Sequence, residues 1–158
     1  MEVVNLLEAL KSNYEDEQKI KDSLESKAAN LIAFVAIIVT IFVGFLSSVL
    51  KTQAAFSISH ILFWIGTILY LVSGLSSLMA LRVQWGNLPL KVTPNLIEKV
   101  NESSLSDQQL EKVFQHDYLV SIEDLTRINN NKANWLQLGF ASAFLAVVST
   151  VFLVAVLL

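Results

Sequence analysis

The 11 Lys and Arg and the 14 Asp and Glu of this chain all fall outside three long apolar stretches, residues 28–50, 52–81 and 133–158. A charge at bilayer centre costs roughly 2.5–3.5 kcal/mol on insertion scales, and a spanning helix needs about 20 mostly apolar residues. The pattern therefore predicts an all-α integral membrane protein with three transmembrane helices, at 28–50, 57–81 and 133–158. What is left is an N-terminal arm, residues 1–27, and one internal polar segment, residues 82–132.

The polar parts are patterned as helices too. In the arm, Leu6 or Leu7, Leu10, Tyr14, Ile20 and Leu24 recur at helical spacing, and Glu15–Lys19 and Glu17–Lys21 stand in the favourable i,i+4 order. No Pro or Gly precedes Gly44, so arm and first span are expected to form one helix. At about 1.5 Å per residue the arm would reach some 30–40 Å from the membrane. Beyond the second span, Gly86 and Pro89 interrupt the helix, and Thr93-Pro94 reads as a cap starting a short helix to about Val100. A loop should follow over residues 101–105. Ser106 with Gln109 forms a capping box, flanked by Leu105 and Leu110 as a hydrophobic staple. From there Leu110, Val113, Phe114, Tyr118, Ile122, Leu125 and Ile128 make one stripe. Asn129, Asn130 and Asn131 are its weak point for helix propensity. Each stripe must be buried, either within one chain or against neighbouring subunits.

Composition narrows the class. Of 158 residues, 54% are hydrophobic and 16% charged, against about 25% charged in an average soluble domain. A net charge of -3 supplies no basic field for nucleic acid, and zero cysteines exclude disulfides and thiolate chemistry. The leading 27 residues hold seven acids and four lysines before a 23-residue apolar run. A cleaved signal has a basic start and a shorter core, so a retained span is expected.

Orientation follows from the basic residues. Lys11, Lys19, Lys21 and Lys27 lie in the arm, and Arg82, Lys91, Lys99, Lys112, Arg127 and Lys132 in the internal segment. Only Lys51 lies in the first connection. The asymmetry predicts a cytoplasmic N-terminus and internal segment, with the C-terminus outside the cell membrane. Lys27, Arg82, Trp85, Lys132 and Trp135 stand at the predicted cytoplasmic edges as membrane-interface anchors.

Candidate chemistry is sparse. His60 and His116 fall at opposite ends of the predicted topology, and the five glycines are isolated, so no phosphate loop exists. No ionisable residue sits at mid-span, which argues against proton coupling. No catalytic residue, metal ligand or cofactor site is expected, and the chain is not read as an enzyme. The spans instead carry small residues, Gly66, Ser73, Gly74 and Ser77 in the second and Gly139, Ser142, Ala143 and Ala146 in the third. Their small-xxx-small spacing suits close helix packing.

The stretch Ser23-Leu24-Glu25-Ser26-Lys27-Ala28-Ala29-Asn30-Leu31-Ile32 leads a polar helix through an acid and Lys-Ala into an apolar run. Tyr118 to Trp135 leads similarly through Lys132-Ala133 into the last. Both stretches resemble small prokaryotic membrane proteins of the SLATT and Pycsar-effector group. That resemblance implies a membrane effector that assembles and impairs the bilayer when a cytoplasmic sensor is triggered. The leading 27 residues are too few for a cyclic-nucleotide-binding domain, so the sensor is expected in another protein or in the polar segment. The expected function is therefore a non-enzymatic membrane effector or pore-type protein controlled through cytoplasmic helices. It would contact the lipid bilayer and form a homo-oligomer. The alternative is an accessory or scaffold subunit of a larger membrane complex.

Overall fold

In the computed structural model the described residues are 2–49, 58–82 and 106–157. They form three helices, α1 (Glu2–Val49), α2 (Ile58–Leu81) and α3 (Asp107–Leu157). All three are long and apolar enough to cross a membrane. The fold is all-helical, as the hydrophobic pattern predicts. Lys51, Trp85, the Thr93-Pro94 cap, its short helix and Leu105 of the staple lie outside the described residues.

Local signals account for the helix limits. The Ser106 carbonyl accepts from the Gln109 and Leu110 amides at 2.9 and 3.1 Å, while Gln109 Oε1 accepts from the Ser106 amide at 3.0 Å. That is the reciprocal half of a capping box, and it starts α3 where the sequence places it. The three asparagines at 129–131 do not interrupt α3. Packing on one face overrides their poor propensity, because Asn129 is itself buried.

On α1, buried and half-buried side chains recur at Leu10, Tyr14, Glu17, Lys21, Leu24, Ala28, Leu31, Val35, Ile38 and Phe42. The steps alternate four and three, which is a heptad seam of the coiled-coil kind. The chain divides into two compact units, one of residues 1–22 and 83–130, the other of residues 23–82 and 131–158.

In the first unit Leu10, Leu125 and Ile128 are buried, and Tyr14 meets Tyr118 edge to face with ring centres 6.0 Å apart. Lys19 pairs with Asp16 at 2.9 Å, not with Glu15. The Asp16 hydrogen bond and charge hold the Lys19 ammonium above its ordinary value. Glu17 turns to Asn129 of α3, because its register puts it on the seam.

In the second unit the core joins Ala28, Leu31 and Val35 of α1, Tyr70 and Ala80 of α2, and Leu136, Ala143 and Ala146 of α3. Phe42 and Leu153 form a second cluster, where Phe42 stacks on Phe63 at 5.6 Å. Ser73, Ser76, Ser77 and Ser142 are buried, whereas Phe34, Ile37, Ile41, Trp64, Leu71, Phe144 and Phe152 are exposed. Small hydroxyls face inward and large apolar side chains outward. Hydrocarbon is the solvent that favours such a surface.

Candidate functional site

Two features of the second unit carry its polar chemistry. The first is a clamp at the end of α2. Lys132 of α3 has no exposed surface, and its Nζ donates to Glu25 Oε1 at 2.8 Å and to the Ala80 carbonyl at 2.9 Å. A longer contact of 3.5 Å reaches the Arg82 carbonyl. The last carbonyls of a helix lack intrahelical partners and carry the negative end of its dipole. One ammonium therefore satisfies the end of α2 while pairing with a carboxylate of α1.

The second feature is the close approach of α2 to α3. Ser73 Oγ donates to the Gly139 carbonyl at 2.8 Å, and Ser77 Oγ donates to the Ser73 carbonyl of its own helix at 2.9 Å. A Cβ on Gly139 would lie 3.1 Å from Leu31 Cδ2 and 3.3 Å from Ser77 Oγ. Gly66 faces Ser149 and Thr150 at ordinary contact distance, whereas Gly74 has nothing within 4 Å. Farther along, the hydroxyls of Tyr70 and Thr150 approach to 3.4 Å.

The sequence-derived candidates are distributed accordingly. Ser73, Ser77 and Gly139 meet at the α2–α3 contact, and Ala143 and Ala146 join the core. Ser142 is buried with its hydroxyl returned to the Leu138 carbonyl at 2.8 Å. Gly74 lines an apolar groove instead. Among the residues proposed as interface anchors, Lys27 and Arg82 are exposed and Trp135 is 36% exposed. Lys132 directs its ammonium into the clamp, and Trp85 lies outside the described residues.

Glu25 and the end of α2 are partners of Lys132 that helical periodicity does not reveal. A comparable polar contact occupies the first unit, where Asn129 Nδ2 donates to the Glu17 carbonyl at 2.9 Å and to its Oε2 at 2.6 Å. Its trace in the sequence is a carboxylate at a seam position between Tyr14 and Lys21. Among the described residues, no three His, Cys, Asp or Glu side chains are grouped to hold a metal ion.

The site so described consists of buried hydroxyls and one ion pair beside an apolar core. No curated protein and no solved structure matches the chain. A family model does: residues 10–158 match PycTM, the Pycsar effector protein domain, and the chain belongs to that family of membrane effectors.

Proposed function

We propose that the protein is a non-enzymatic effector that self-assembles in the cell membrane and breaches its permeability barrier under control of its cytoplasmic helices. One observation carries this reading. The second unit hides hydroxyls, Ser73, Ser76, Ser77 and Ser142, on its inner faces and exposes bulky apolar side chains. Rearranged among several copies, the hydroxyl faces would line a water path, with no charged ring required. The apolar faces would stay in lipid.

Control through the cytoplasmic side is supported by the clamp. It ties α1, α2 and α3 together at residues 25, 80 and 132, beside the polar residues that precede the first and third spans. In this reading residues 1–27 and 82–132 are cytoplasmic. Spans 28–50, 57–81 and 133–158 then leave the C-terminus outside. The excess of basic residues on the arm and internal segment supports that orientation. Lys27, Arg82, Trp85 and Trp135 would set the depth of the spans at the headgroups.

The test is induced expression of the full chain in cells supplied with a membrane-impermeant dye, with sizing of the extracted protein in mild detergent. Dye entry together with a homo-oligomeric mass is expected. An intact barrier around an assembled protein overturns the proposal, and unlike subunits in stoichiometric amount favour an accessory role. Tags at the two termini of intact cells should be reached only at the C-terminus.

A further inference from the structure

The second unit carries a groove between α1 and α3 whose two ends differ in chemistry. Its volume is about 600 Å³, and Lys27, Asn30, Leu31 and Phe34 line one wall. Phe140, Ala143, Phe144 and Val147 line the other. Each wall uses positions i, i+3, i+4 and i+7 of its helix, so two stripes flank an open groove about 10 Å long at 1.5 Å per residue. Polar groups occur only on the α1 wall, in its first turn, at Lys27 and Asn30.

Charge fixes the kind of occupant. Lys27 is exposed and has no ion pair among the described residues, and no carboxylate lines the groove. Glu25 is already engaged by Lys132. A cation and an amide at one end of an apolar trough complement an amphiphile with an anionic head and a hydrocarbon tail. Basic sites between helices at a membrane edge hold anionic headgroups in this way.

We infer that this groove is a binding site for one anionic glycerophospholipid. Its phosphate is held by Lys27 and Asn30, and an acyl chain lies between Phe34 and Phe144. The inference rests on the proposed placement of Lys27 at the headgroups and stands apart from any permeability change.

The full chain is reconstituted in nanodiscs of equal phosphatidylglycerol and phosphatidylcholine, then released gently for native mass spectrometry. Phosphatidylglycerol should be retained at least fivefold over phosphatidylcholine. That preference should vanish in Lys27→Gln and persist in Lys27→Arg. Location is read separately by Phe144→p-benzoylphenylalanine, which on illumination should crosslink to lipid and lose that adduct when combined with Lys27→Gln. Equal retention of the two lipids, or unchanged preference in Lys27→Gln, overturns the proposal. So does a crosslink from position 144 chiefly to a second copy, which would make the groove a subunit seam.

Discussion

Lys132 Nζ lies 2.8 Å from Glu25 Oε1, with the lysine side chain wholly buried and that of Glu25 36% exposed. The two partners are therefore unequal. Glu25 can regain water if the pair is broken, but the ammonium cannot. Removing one member of a buried pair costs about 3–5 kcal/mol when the remaining charge is stranded. Glu25→Ala should approach the lower end of that range. Lys132→Met should cost less, about 1–3 kcal/mol, from the Ala80 carbonyl left without its donor. Thermal unfolding in mild detergent, followed by helical circular dichroism, checks the order. Equal losses in both variants would show that the clamp acts through packing and not through the stranded charge.

Gly139 and Gly74 should respond oppositely to alanine. In an exposed helix Gly→Ala gains up to about 1 kcal/mol of propensity, and at Gly74 nothing lies within 4 Å to oppose it. At Gly139 the added methyl meets Leu31 Cδ2 at 3.1 Å and Ser77 Oγ at 3.3 Å in a three-helix contact. Overpacking of that kind costs about 1–3 kcal/mol. Gly74→Ala is expected to unfold at or above the temperature of the parent, and Gly139→Ala below it.

Ser73 and Ser77 are one turn apart and equally buried, yet their hydroxyls do different things. Ser73 bonds across to α3, whereas Ser77 bonds within α2. Interhelical hydrogen bonds in membrane proteins average about 0.6 kcal/mol and reach about 1.7. Ser73→Ala should lose an amount in that range, and Ser77→Ala should stay within about 0.5 kcal/mol of the parent. Ser77→Leu and Ala143→Leu, which add bulk at buried positions of the bundle, should both loosen it and lower the unfolding temperature by several degrees.

How much of this was legible in the chain depends on what kind of rule governs each part. The three long helices follow from uncharged runs and from the absence of Pro and Gly before Gly44 and between Ser106 and Gly139. Those are properties of one segment at a time. The start of α3 was equally plain, since Ser106 and Gln109 are three residues apart and complete each other's hydrogen bonds. Contacts between distant segments were less legible. Lys132 and Glu25 are 107 residues apart, and nothing in the periodicity of either helix pairs them. The choice of Lys19 for Asp16 over Glu15 is settled by rotamers on an exposed face, which i,i+3 and i,i+4 spacing leaves open. The seam of α1 was only half visible. Leu10, Tyr14 and Leu24 mark it as apolar, but Glu17 and Lys21 break the pattern. Those breaks are where polar contacts are made, as Glu17 does with Asn129.

Asn129 offers the sharpest test of that last contact. Its Nδ2 donates both to the Glu17 carbonyl and to Oε2, at 2.9 and 2.6 Å, while its Oδ1 is buried without a partner among the described residues. Asn129→Asp removes both donors and sets a second carboxylate against the first. Like charges sharing a partly buried site disfavour the ionised form, so the introduced carboxyl binds its proton more tightly in the folded chain than in the unfolded one. A group of that kind stabilises the fold below its unfolded value and loses that contribution as pH rises through the folded one. The variant should therefore be about 1–3 kcal/mol weaker than the parent at neutral pH and recover as pH is lowered toward 4. Limited proteolysis across that range, with the parent chain as control, reads the change in the first unit directly. A loss that is the same at pH 7 and pH 4 would mean that Asn129 serves by shape and not as a donor to Glu17.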